Sequence, residues 1–141
     1  MARQDYRSPD RKLIATVIDV NEAHESRVEI HTSRGKLLLA QDYSSNDMEH
    51  GESVLKAAWT PDGEFFVFSM QNTGGHSPMG RPTSFYSRKQ NLLFNLEDAV
   101  GYITESDFKW EAPNWIITKR LVPSGEGESE PVRVALSEVQ K

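Results

Sequence analysis

Apolar positions along the chain come in short clusters of strand length, separated by turn-forming residues. Leu13-Ile14-Ala15-Thr16-Val17-Ile18, Val28-Glu29-Ile30, Leu37-Leu38-Leu39 and Phe65-Phe66-Val67-Phe68 are rich in β-branched, aromatic and aliphatic residues, the side chains that suit an extended, half-buried backbone. The pattern predicts strands near 13–19, 27–32, 36–42, 53–59, 64–70, 84–88, 92–96, 107–111, 114–120 and 131–136. Ser33-Arg34-Gly35-Lys36 and Arg88-Lys89-Gln90-Asn91 read as hairpin turns between neighbouring strands. Leu96-Glu97-Asp98-Ala99-Val100 reads as one helical turn closed by Gly101, and long loops are expected at 43–52, 71–83 and 122–130. No linker divides the chain, so residues 1–141 are expected to form a single all-β domain.

The clusters repeat. Ser8-Pro9-Asp10-Arg11-Lys12-Leu13-Ile14-Ala15 aligns with Thr60-Pro61-Asp62-Gly63-Glu64-Phe65-Phe66-Val67, and Ala112-Pro113-Asn114-Trp115-Ile116-Ile117 is a fainter third copy. The three prolines are 52 residues apart. Val28-Glu29-Ile30 matches Val132-Arg133-Val134 at twice that period, and Leu37-Leu38-Leu39 matches Leu92-Leu93-Phe94 at an offset of 55. Each copy begins with a turn whose proline presets φ, whose Asp or Asn bonds back to local backbone, and whose glycine takes the next corner. The first copy puts Arg11 where the second has Gly63, and the third lacks both Asp and Gly. Its turn geometry is left open by the sequence.

Ala57-Ala58-Trp59-Thr60-Pro61-Asp62-Gly63-Glu64-Phe65-Phe66-Val67-Phe68-Ser69 resembles the signature of WD40-like, TolB-type β-propeller repeats. Gly74-Gly75-His76-Ser77-Pro78 with Phe85-Tyr86-Ser87-Arg88 is similar to segments of bacterial proteins of this kind, many of them exported, and carries no known activity with it. A propeller has roughly four to eight four-stranded blades, whereas 141 residues supply fewer than three repeats. The resemblance therefore implies antiparallel sheets in an incomplete or open propeller, with a β-sandwich as the alternative. Unpaired sheet edges in such an arrangement invite self-association.

The composition, 37% hydrophobic and 26% charged, is that of a globular chain. A net charge of −5 without a basic stripe argues against nucleic acid and against an anionic membrane surface. No apolar run approaches the length of a membrane span. With no cysteine, disulfides, thiol catalysis and cysteine-ligated zinc are excluded. The chain reads as cytoplasmic, or as an exported protein whose leader has been removed.

Candidate chemistry is sparse. The four histidines, His24, His31, His50 and His76, show no metal-ligand spacing, and no metal or other cofactor is expected. His31 is in phase with Glu29 on the solvent side of its strand. Asp42, Ser44 and Asn46 alternate as in a calcium loop, but Asp47 stands at the required glycine and Ser53 at the bidentate glutamate. That loop reads as a polar connection between repeats. The segment Asn72–Pro82, with three glycines, two prolines, His76 and Arg81, is the first candidate for contact with a partner. Tyr86 with Phe85, beside Arg88 and Lys89, is expected at an interaction rim, while Trp59, Phe66, Phe68, Trp110 and Trp115 are expected to fill the core. His76, Arg81, Tyr86 and Arg88 are thus the expected binding residues of a non-catalytic protein-interaction or scaffold module. The alternatives are a small-ligand or ion-binding domain using the 42–52 loop, and a small hydrolase using His76 with a carboxylate.

Overall fold

The computed structural model describes residues 2–74, 80–123 and 127–139. The chain is all-β, laid out as three antiparallel sheets, none of which closes into a barrel. Sheet I is the meander β1 (Arg3–Arg7), β2 (Leu13–Asp19), β3 (Ser26–Thr32), β4 (Leu37–Asp42). Sheet II repeats it with β5 (Glu52–Trp59), β6 (Phe65–Asn72), β7 (Thr83–Ser87) and β8 (Leu92–Asn95). Sheet III has three strands, β9 (Lys109–Glu111), β10 (Trp115–Leu121) and β11 (Ser129–Ala135). Two single helical turns follow sheets II and III, α1 (Glu97–Val100), closed by Gly101 as the sequence predicts, and α2 (Leu136–Val139).

Each sheet corresponds to one sequence repeat, and the first two turns agree bond for bond. The Ser8 N–H donates to the Leu13 carbonyl at 2.9 Å, as the Thr60 N–H does to Phe65 at 2.8 Å. The Ser8 hydroxyl donates to Asp10 at 2.7 Å and the Thr60 hydroxyl to Asp62 at 2.6 Å. The same carboxylates accept from the N–H groups of Lys12 and Glu64. The corner residue is left-handed in both, with φ of 63° at Arg11 and 72° at Gly63. Arginine pays a steric penalty there that glycine does not. Arg11→Gly is therefore expected to stabilise the protein by about 1 kcal/mol, read as a rise of about 3 °C in Tm; an unchanged or lower Tm contradicts this reading of the corner.

The third turn differs because its Asp and Gly are missing. It is three residues shorter, so Glu111 pairs directly with Trp115, and the Ala112–Pro113 bond is cis. Asn114 donates to the Asp62 carboxylate of the second turn at 2.9 Å and accepts from the Ser137 hydroxyl at 3.2 Å. The downstream correspondences also hold. Val28–Ile30 and Val132–Val134 lie in the third strands, and Leu37–Leu39 and Leu92–Phe94 in the fourth strands.

Sheet II is the middle layer. Strand β6 is buried on both faces through Met70, and strand β7 throughout. Phe66, Phe68, Met70 and Tyr86 face sheet I, where together with Trp59 of β5 they pack against Leu13, Ala15, Val28 and Ile30. Phe65, Val67 and Phe85 face sheet III, with Leu96, Val100, Ile103, Phe108, Ile116 and Leu136. Each buried apolar side chain of this size contributes roughly 1.5–3 kcal/mol. A continuous apolar run, rather than an alternating one, is what a strand covered on both sides requires.

Strand β1 was invisible to the apolar pattern. Arg3-Gln4-Asp5-Tyr6-Arg7 is an exposed edge strand in which Tyr6 alone is partly buried, its carbonyl accepting the Trp59 indole N–H at 2.8 Å. Trp115 corrects another expectation, because it lies on the outer face of sheet III. It sits under the Arg133 guanidinium at 3.8 Å, and Arg133 also pairs with Glu111. The outer face of sheet I is similarly polar, with Glu29 bridging Arg27 at 2.7 Å and His31 at 2.9 Å. His31 is on that outer side, in phase with Glu29. No helix among the described residues is long and apolar enough to cross a membrane.

Candidate functional site

Of the four residues expected to bind a partner, the three described ones, Arg81, Tyr86 and Arg88, are not brought together. His76 lies outside the described residues. Arg81 precedes β7, where its N–H donates to the Ile103 carbonyl at 2.8 Å and its guanidinium to the Gly80 carbonyl at 2.8 Å. Tyr86 corrects the interaction-rim reading. It is 1% exposed, edge-on to Trp59, and its hydroxyl donates to Asn91 at 2.7 Å. Strand β7 is an inner strand with sheets on both sides, so its side chains are core whatever flanks them in sequence. Arg88 lies at the end holding the proline turns, paired with Asp10 at 2.9 Å and bonded to the Gly63 carbonyl at 3.4 Å. It ties sheet I to sheet II.

The two ends of the stack differ in charge. Meander topology puts the proline turns and the hairpins at 33–36 and 88–91 at one end, with Arg11, Lys12, Arg34, Lys36, Arg88 and Lys89. The opposite end gathers the 20–25 turn, the 43–51 connection, residues 73–74 and 80–82 between β6 and β7, and the segment after β8. Its ionisable residues are mostly carboxylates, and Arg81 is the one arginine or lysine among its described residues.

Two features of the acidic end look alike in sequence and differ in physics. The first is Glu25, which is completely buried. It accepts from the Asn21 amide at 2.8 Å, the Ser45 N–H at 2.8 Å, the Gly51 N–H at 2.8 Å and the Thr73 hydroxyl at 2.6 Å. Burial alone pushes its carboxyl up, but the Thr73, Ser45 and Asn21 donors outweigh burial and hold it at about 2. Gly51 has no Cβ because one would collide with the Glu25 carboxylate and the Tyr43 carbonyl. Glu25 is fully satisfied, and it organises the loop once compared with a calcium site. The other oxygens of that loop close local turns, Asp42 onto the Ser44 N–H and Asp47 onto the Glu49 N–H.

The second feature is a cavity of about 270 Å³ lined by Tyr43, Glu52, Met70, Pro82, Ser84, Asn95, Glu97 and Asp98. Glu52 opens β5, and its Oε2 is buried with no hydrogen-bond partner among the described residues. Glu97 begins α1 and folds back to accept the Thr83 N–H at 2.8 Å. Burial pushes the Glu97 carboxyl up to about 7, against the Thr83 bond, and the charges of Glu52 and Asp98 push it the same way. Burial raises Glu52 as well. The Tyr43 hydroxyl is pushed up to about 12 by burial, with the Ser84 hydroxyl acting against this and Glu52 with it. Among the described residues no arginine, lysine or histidine lines the cavity to offset the carboxyls. Such a wall favours a ligand that brings positive charge and N–H donors. Among the described residues no three His, Asp or Glu side chains converge as a metal ion would require.

Neither Glu52 nor Glu97 was singled out from the sequence. One signal was available for Glu52, which stands two residues before Val54, a residue packed against the core shared by sheets I and II. A carboxylate at an inward-facing position is the kind of misfit that marks a site. Glu97 gives no such signal, because an acidic residue in the first turn of a helix is ordinary. No family model matches the chain, and no curated protein matches it.

Proposed function

We propose that the chain is a non-catalytic binding module, built on propeller-type repeats of the WD40-like, TolB-type kind, that holds a cationic side chain of a protein partner between Glu52 and Glu97. The observation that carries this reading is the buried Glu52 Oε2 at the wall of the cavity, which has no hydrogen-bond partner among the described residues. A lysine ammonium entering there supplies the missing donors. It neutralises two carboxyls that burial has made reluctant to ionise, and it passes the aromatic ring of Tyr43, whose face attracts cations. The repeats supply a rigid frame and the acidic end steers a basic partner toward it. The same field repels a phosphate backbone, so nucleic acid is not proposed as a partner.

A small free amine is the second reading, since it offers the same chemistry in a cavity of this size. Calorimetric titration at low salt with Nα-acetyl-lysine amide, with a lysine-containing heptapeptide and with spermidine separates the two. The proposal expects the heptapeptide to bind most tightly, and expects the Glu52→Gln, Glu97→Gln double variant to weaken it at least tenfold. Spermidine binding alone favours the small-ligand reading. Equal affinity of the double variant for every probe overturns the site.

Glu97 also makes a stability prediction of unusual sign. Its folded carboxyl, at about 7, lies above the ordinary 4.5. The folded state therefore binds the proton more tightly, and this group's effect on stability worsens as pH rises from 4.5 through 7. Glu97→Gln keeps an acceptor for Thr83 and removes the charge. It is expected to raise Tm at pH 8 and to change it little at pH 4.5. A lower Tm at pH 8 shows that the carboxylate is satisfied by its surroundings.

A further inference from the structure

We propose, resting on the reading of Glu52 and Glu97 as a lysine site, that the lysine is Lys89 of a second copy of this chain, docked head to tail. The basic end of one copy then meets the acidic end of the next.

Lys89 stands in the 88–91 hairpin between β7 and β8, and both of its flanks are tied down. Arg88 pairs with Asp10 at 2.9 Å and bonds to the Gly63 carbonyl. Asn91, left-handed at φ 52°, accepts from the Tyr86 hydroxyl at 2.7 Å and donates its amide to the Leu38 carbonyl at 3.1 Å. Lys89 between them is exposed and forms no ion pair among the described residues. It shares a small pocket with Asp62 and Glu64, but the Asp62 carboxylate already accepts from the Thr60 hydroxyl, the Glu64 N–H and the Asn114 amide. An unpaired ammonium is thus carried on a hairpin that needs no ordering when it docks, which removes one of the main costs of association.

The cavity that receives it belongs to a different copy. Strand β7 carries the chain from Ser84, at the cavity wall, to Ser87, just before the hairpin. Lys89 and the cavity therefore lie at opposite ends of one molecule. Arg11, Lys12, Arg34 and Lys36 are exposed at the end that bears Lys89. Glu49 and Asp98 are exposed at the cavity end, where Arg81 is the one arginine or lysine among the described residues. Ends of opposite sign attract head to tail, and ends of like sign repel. A contact between two different surfaces leaves one of each unused, so it propagates to a closed ring or an open filament.

Light scattering over a range of protein concentrations at low salt tests this. The mass is expected to rise above the 16.0 kDa of one chain and to return to it at about 1 M salt, where the screening length is about 3 Å. Excess lysine heptapeptide should also return it to one chain. Lys89→Gln should weaken the association about tenfold or more, whereas Lys36→Gln, which removes the same charge from the same end, should weaken it about threefold or less. The Glu52→Gln, Glu97→Gln double variant should also fail to associate. Mixing it with Lys89→Gln should recover a pair of chains and nothing larger, because one variant keeps its cavity and the other its lysine. A mass of one chain at every concentration, with the heptapeptide still bound, overturns this proposal and leaves the lysine site standing. Loss of heptapeptide binding in the unmodified protein removes the site and this proposal with it. Equal effects of Lys36→Gln and Lys89→Gln, or a mixture that stays monomeric, also overturn head-to-tail docking through Lys89.

Discussion

Phe66→Ala is expected to cost about 3–5 kcal/mol, which is a large part of the 5–15 kcal/mol that holds a typical domain together. Phe66 is fully buried where sheets I and II meet, and its ring lies 5.5 Å from Tyr6, 5.3 Å from Trp59 and 5.9 Å from Phe68. Those neighbours come from β1, β5 and β6, so no single element can relax to fill the space. The cavity remains, and its cost adds to the lost burial. Urea denaturation followed by tryptophan fluorescence should show the midpoint falling sharply. Trp115→Ala removes a larger ring from the outer face of sheet III and should cost much less. Equal costs at the two positions would show that the stacked arrangement of sheets is wrong.

Glu25→Ala should be nearly as severe, at about 3 kcal/mol or more. It strands the donors of Asn21, Ser45, Gly51 and Thr73 around a small void. Glu25→Gln is also expected to destabilise, because its amide presents N–H groups to some of those same donors. A simple volume effect would leave Gln harmless, so the pair of variants separates charge from size. The pH dependence has a definite sign. Glu25 is held at about 2 when folded against an ordinary 4.5. Its contribution is complete above pH 4.5 and is lost as pH falls toward 2. Glu25→Gln should therefore be destabilised at pH 7 and should lose less further stability than the parent protein between pH 4.5 and 2. Parallel acid-denaturation profiles would contradict the role given to this carboxylate.

The contrast between Glu25 and Glu97 explains why so much of the fold, and so little of the site, was legible in the sequence. The predicted strands near 13–19, 27–32 and 92–96 lie within a residue or two of β2, β3 and β8, because alternating or continuous apolar runs report burial directly. The repeat of Pro9 and Pro61 reports a turn whose bonds recur one by one. Strand β1 escaped because an edge strand need not be apolar, and α2 because four residues carry little pattern. Sites depend on what lies across space. Glu25, 20 residues from Ser45 and 48 from Thr73, finds every donor it needs, whereas Glu52, equally acidic in sequence, keeps an oxygen without one among the described residues. Tyr86 erred in the opposite direction. Its basic neighbours pointed to a surface, but burial was fixed by the sheets stacked on either side of β7.

The most direct test of the cationic pocket is the titration of the glutamate side-chain carboxyl carbons by NMR, with and without the lysine heptapeptide. Glu97 is expected to titrate near 7 and Glu52 above the ordinary 4.5 in the free protein, and both are expected to fall when the peptide saturates the cavity. Ordinary titration of both carboxyls in the free protein, unmoved by the peptide, would contradict the cationic pocket.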